Sequence, residues 1–307
     1  MSSTRAIADV VRDPRPVRIG ARSAGALVIA TIFGIGVFGW PLLVSPGSGI
    51  ARGLDAPLVF GAMLLLVVAV VLALLADGGM DAKAVAMLGV MAAIGAALRP
   101  LGAGTAGVEP LFFILILGGR AFGPGFGFVQ GATTLFASAL LTGGVGPWLP
   151  FQMLGAAWMG LGAGLLPPVR GRLEVGLLCA YSALACLLYG FVMNLSFWPF
   201  GLGPTTSVSF IPGDAVIDNL TRFAAFSLTT SLGWDLGRAI TVTILVAVTA
   251  APVLRALRRA GRKAAFAPDV TFDPHGQVKS AATLSSASRL SGDILGQDTH
   301  FGSPGSR

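Results

Sequence analysis

The chain has 307 residues, of which 54% are hydrophobic and 11% charged, and its mean hydropathy is +0.80. A soluble globular domain carries about 25% charged residues, so this composition excludes that class. The net charge of +7 does not point to nucleic acid, because the cations gather next to apolar segments: Arg5, Arg12, Arg15, Arg18 and Arg22 precede the first one, and Arg255, Arg258, Arg259, Arg262 and Lys263 follow the last.

In hydrocarbon every backbone polar group needs an internal partner, which leaves helices or closed barrels. Barrel strands alternate with period two. The apolar runs here are continuous and rich in Leu, Ala, Val and Gly, so the fold class is an all-α membrane protein. In chain order the sequence predicts a basic arm at 1–23 and apolar segments at 24–44, 57–76, 83–98, 110–121, 123–142, 151–166, 174–197 and 229–254. The first run lacks an A-x-A end and reads as a retained anchor rather than a cleaved signal. The segment at 110–121 is short for a bilayer and is expected to lie among its neighbours.

About eight transmembrane helices return the chain to its starting side, and basic residues at both ends place that side in the cytoplasm of a multi-pass cell-membrane protein. Anionic lipid is the expected partner of those cations. Inner loops then fall at 77–82, 120–124 and 167–173. The outer loops fall at 45–56, 99–109, 143–150 and 198–228, the last with an interfacial helix around 214–226. The longer loops are outer ones, so the chemistry is expected to face outward. From residue 264 to 307, Ser, Gly, Pro and Asp dominate, and a disordered tail is expected. The organisation is therefore an arm (1–23), an N-terminal helix pair (24–76), a six-helix core (82–260) and a tail (264–307).

On the third segment, Ala82, Ala86, Gly89, Ala93 and Ala97 share one helical face. A small-residue stripe lets a second helix approach closely in lipid, either within the molecule or from a partner. Glycines at Gly118, Gly119, Gly123, Gly125, Gly127 and Gly131 predict close backbone packing around a tight inner turn, with Pro124 opening the following helix. Trp148, Phe151 and Gln152 begin the sixth segment. They are either an interfacial anchor or the wall of a pocket for a planar ligand.

Asp235 and Arg238, three apart, are expected to neutralise one another, as a structural pair or as a polar wall of a site with Asn194. Arg120, in an inner turn, is expected to snorkel to headgroups. Cys179 and Cys186, seven apart on one helix, are too distant for a disulfide. His275 and His300 lie in the tail, so neither a metal nor a cofactor is expected. A Walker A motif, H-E-x-x-H and G-x-S-x-G are all missing, which argues against an enzyme.

The order of short Gly-rich spans, with FGPGFGFVQGA after a short apolar helix and then GPWLPFQMLGAAWMGLGAG, resembles the membrane-embedded S components of energy-coupling factor (ECF) transporters. The resemblance covers residues 82–260. It implies a six-helix, substrate-binding core that captures a vitamin-like micronutrient outside the cell and works with a transmembrane T component and two ABC-type ATPases. It implies a T-component face at Ala82, Ala86, Gly89 and Ala93. It also implies that the loop flanked by Arg99 and Glu109 closes over substrate, the other reading of the two being ordinary membrane-boundary charges. With Trp148, Phe151, Gln152, Asn194 and Asp235, read above from their own chemistry, they form the candidate binding set. The N-terminal pair and the tail depart from that family's pattern. Two other classes remain open: a self-sufficient secondary carrier or channel with Asp235 and Glu109 as coupling carboxylates, and a membrane scaffold.

Overall fold

A computed structural model describes residues 20–43, 56–76, 80, 82–102, 105, 107–201, 206–265, 271–272 and 278–279. Most of the basic arm and of the predicted disordered tail lies outside these residues. The first compact unit, Met1–Gly261, is helical throughout its described part. Its helices are α1 (Ala21–Phe38), α2 (Ala56–Ala76), α3 (Ala82–Leu98), α4 (Leu111–Phe122), α5 (Pro124–Thr142), α6 (Leu149–Leu165), α7 (Arg172–Gly201), α8 (Val216–Phe226) and α9 (Leu232–Ala265). Single turns at Trp40–Leu43 and Arg99–Gly102 extend α1 and α3. In the second unit, Arg262–Arg307, the described residues form the end of α9 and a two-residue antiparallel ladder pairing Thr271 with Lys279 and Phe272 with Val278.

Each of the eight predicted apolar segments is helical, but only four described stretches are long and apolar enough to cross a membrane: Ala82–Gly102, Pro124–Thr142, Arg172–Pro199 and Val216–Arg262. At 1.5 Å per residue, the 12-residue α4 is about 18 Å long, shorter than the ~30 Å hydrocarbon layer. It compensates by burial: of its residues only Phe113 is not fully buried.

Helix α5 is the hub. Of its apolar window 67% is buried, against 28%, 33% and 22% for the other three long stretches, so those three, with α1 and α2, carry the apolar exterior. Val90 and Ile94 on α3, Leu184 and Leu188 on α7, and Ile240, Ile244 and Val248 on α9 are all exposed. Apolar surface of this extent suits lipid rather than water.

The glycine-rich block packs as its composition predicts. A Cβ at Gly119 or Gly127 would strike the backbone of Gly160, and one at Gly131 would strike that of Ala156. Helices α4, α5 and α6 therefore touch main chain to main chain, which needs glycine at the crossing. Between α4 and α5, Gly123 takes φ 105°, a conformation open to glycine, and Pro124 starts the next helix.

The N-terminal pair is not a detached addition. Phe38 of α1 sits 5.2 Å from Phe151 and 5.3 Å from Trp158, and Phe60 of α2 sits 5.3 Å from Phe151. A side chain at Gly34 would collide with Leu154 and Trp158, so α1 lies directly on α6.

The helix expected around 214–226 is present as α8; it continues into α9 through a π-helical turn at Ser227–Ser231, and α7 runs to Gly201, so less of 198–228 is loop than expected. No Gly or Pro interrupts residues 216–232, and the Thr229 and Thr230 hydroxyls donate to the carbonyls of Ala225 and Phe226 at 2.8 and 2.7 Å, so the chain stays helical. The small-residue face of α3, for which packing within the molecule and packing on a partner were both open, is not covered by other described residues. Ala82, Ala86, Gly89, Ala93 and Ala97 are exposed, whereas Ala84, Leu88, Met91, Ala92, Gly95 and Ala96 are buried.

Arg120 does not snorkel. It is 7% exposed and donates from Nε to Glu174 Oε1 at 2.6 Å, and from its terminal nitrogens to Leu166 O and Val169 O at 3.0 Å each. Arg258 reaches the same carboxylate at 2.6 Å. A guanidinium buried this deeply needs acceptors on every side, and the turn before α7 supplies them.

Candidate functional site

At the end of the bundle opposite the Arg120–Glu174–Arg258 cluster, a cavity of about 390 Å³ opens among α2, α6, α7, α9 and the segment before α4. That size lies within the range of small-molecule sites. Its position follows from chain direction. The antiparallel helices bring the start of α6 (Trp148, Phe151, Gln152), the second half of α7 (Tyr189, Met193, Asn194) and the first turns of α9 (Arg238) to one level.

Glu109 arrives from the segment before α4. Gly107 makes this possible: it takes φ +78°, and a Cβ there would strike the backbone of Trp234 at the start of α9. That close approach sets Glu109 beside Arg238.

The charged floor is a triad. Arg238 Nε donates to Glu109 Oε2 at 2.6 Å and Nη1 to Asp235 Oδ1 at 2.8 Å, while Nη1 also lies 3.5 Å from Cys186 O. The guanidinium carbon stands 5.2 Å over the Tyr189 ring. Cations stack favourably on aromatic faces, and an intramembrane charge persists only when paired. Room for the carboxylate of Asp235 comes from Gly190 on α7, where any side chain would overlap it.

Walls and rim are aromatic and amide. Phe60, Trp148, Phe151 and Tyr189 line the cavity. Gln152 accepts from Arg99 Nη2 at 2.9 Å through Oε1, which leaves its amide nitrogen as the remaining donor. Asn194 Nδ2 is buried and has no hydrogen-bond partner among the described residues. Buried polar atoms are normally satisfied, so an orphan donor at a cavity wall is suited to an acceptor on a bound molecule. The Trp148 indole, 41% exposed, donates to Gly144 O at 3.2 Å and lines the cavity.

Of the seven residues singled out from the sequence, Glu109, Trp148, Phe151, Gln152 and Asn194 line this one cavity. The other two stand one bond behind: Arg99 holds Gln152, and Asp235 holds Arg238. Sequence reasoning missed Phe60, Tyr189 and Met193. Phe60 belongs to a hairpin set apart from the core, and the other two sit in a uniformly apolar run where only their position on the helix distinguishes them.

A second polar feature was also missed. Gln130 Oε1, Thr134 Oγ1 and Ser138 Oγ, spaced one turn apart on α5, are buried without partners among the described residues. Cys179 and Cys186 are free thiols, as their spacing requires.

No protein-family model, curated protein or solved structure matches the chain.

Proposed function

We propose that this chain is a multi-pass cell-membrane protein that captures a small flat nutrient, in the manner of an ECF S component, and does not itself catalyse a reaction. The observation that carries the reading is the aromatic- and amide-lined cavity at one end of the bundle, with the opposite end tied by the Arg120–Glu174–Arg258 ion pairs. A cavity at one end of a bundle whose other end is held by ion pairs suits capture from one side. With the basic residues of α9 in the cytoplasm, the cavity faces outward.

The exposed Ala82–Ala86–Gly89–Ala93 face on α3 supports a partner helix docking there, since small residues left uncovered by the other described residues permit close approach. The resemblance makes that partner a T component, acting with two ABC-type ATPases. Co-expression with such a module tests this directly: the complex is expected to co-purify, and Ala86→Leu to abolish ATP-dependent uptake while ligand binding persists. Unchanged uptake in that variant would sink the docking face.

One observation favours a second reading. Two carboxylates, Glu109 and Asp235, share Arg238 at the cavity floor, an arrangement that a self-sufficient proton-coupled carrier could use. Uptake into vesicles containing this chain alone, driven by a pH gradient, would select that reading over the first.

A further inference from the structure

Resting on the reading of the cavity as a capture site, we propose that it selects a flat nitrogen heterocycle bearing a positive charge and a hydrogen-bond acceptor. Charge placement carries this. Arg238 is the one cation among the described residues lining the cavity, and most of it is engaged: Nε by Glu109, Nη1 by Asp235, and its face by Tyr189, which leaves Nη2. Two carboxylates against one guanidinium leave one negative charge uncompensated within the triad.

That charge sits at the cavity wall. The Glu109 side chain is 36% exposed, against 13% for Asp235. Only Glu109 Oε2 is engaged by a described residue, so Oε1 is open to a ligand. Arg99 does not line the cavity and is held behind Gln152. An anionic ligand would therefore meet the open Glu109 oxygen, with Arg238 Nη2 as its one cationic donor and that guanidinium already shared by two carboxylates. A cationic ring would meet that carboxylate together with the negative faces of Phe60, Trp148, Phe151 and Tyr189. Being partly withdrawn from water strengthens both attractions. The orphan Asn194 Nδ2 and the amide nitrogen of Gln152 are donors, and they call for an acceptor on the same molecule.

Three probes of nearly equal size and shape separate the charges: N1-methylnicotinamide (cation), nicotinamide (neutral) and nicotinate (anion). Each carries a carbonyl or carboxylate acceptor. Titration of the full-length purified chain, read by tryptophan fluorescence and by equilibrium dialysis, is expected to show the cation binding about tenfold or more tightly than the neutral probe, the difference a partly desolvated cation–π and carboxylate attraction makes. Nicotinate is expected to bind weakest. Glu109→Gln should erase the preference, and Glu109→Asp should retain it. If neither variant folds, the ranking of probes on the unmodified chain still decides. Tighter binding of nicotinamide or nicotinate overturns the charge assignment alone and leaves the capture reading standing. Binding of none of the three overturns the capture reading with it.

Discussion

Glu174 shows what a single residue contributes. Its carboxylate is 4% exposed and receives two arginines, Arg120 from the end of α4 and Arg258 from α9. Removing one partner of a buried pair leaves an uncompensated charge and costs about 3–5 kcal/mol. Glu174→Gln is therefore expected to lower the melting temperature in detergent sharply. Arg258→Gln should lower it less, because the Arg258 side chain is 24% exposed and Arg120 remains to neutralise the carboxylate. Equal losses in the two variants would contradict this ranking.

The same scale explains what could be read in advance. The Asp235–Arg238 pair follows from a three-residue spacing on one helix, a local property. Arg238–Glu109 joins residues 129 apart, and nothing local in the sequence encodes it. Arg120 was assigned to headgroups because its neighbours in sequence are a Gly-rich turn; its true acceptors are 46 to 54 residues away.

Among the elements, the N-terminal hairpin acts as part of the site. Phe60 both lines the cavity and packs edge-on against Phe151, which Phe38 buttresses from the other side. Such ring contacts contribute about 0.5–1.5 kcal/mol each beyond burial. Phe60→Ala is accordingly expected to weaken binding of the preferred nicotinamide-series probe roughly tenfold while the protein remains monodisperse. An unchanged affinity would return the hairpin to a purely structural role.

The crossing of α5 over α6 was legible because glycine has only one reason to recur at helical spacing in apolar spans: neighbouring backbones must come close. The face of α3 was not legible to the same degree. Its sequence is Ala-rich all round, so the stripe at Ala82, Ala86, Gly89 and Ala93 and the opposite face of Ala84, Ala92 and Ala96 look alike in composition. Packing against α5, where Gly95 admits Thr134, chose which one turned inward. The continuity of α8 with α9 was hidden for another reason. Ser and Thr weaken helix propensity, but at Thr229 and Thr230 their hydroxyls return to carbonyls of the preceding turn and keep the chain helical.

For the whole molecule, charge divides between two ends. The cavity end holds Glu109, Asp235 and Arg238, and the other holds Arg120, Glu174 and Arg258, followed by the basic end of α9. If that basic end is cytoplasmic, the cavity opens outside the cell. With Cys179 and Cys186 replaced by Ala, an impermeant maleimide added to intact cells should label Gly144→Cys, which lies beside Trp148, and should label Arg259→Cys only after lysis. The reverse pattern would turn the cavity toward the cytoplasm.

The amino-acid sequence alone determined the apolar character of this chain, the positions of its eight apolar helical segments, the close glycine crossing and five of the cavity's wall residues. Hydropathy, small size and helical spacing are sums over neighbours in the chain, so they survive without knowledge of the fold. Tertiary structure alone decided that α2 lines the cavity with α1 packed behind it, which face of α3 the described residues leave uncovered, and which distant charges meet. A buried charge in a low-dielectric interior needs a partner wherever the packing places one, and that placement depends on how α4, α7 and α9 lie against α5 rather than on any stretch of sequence.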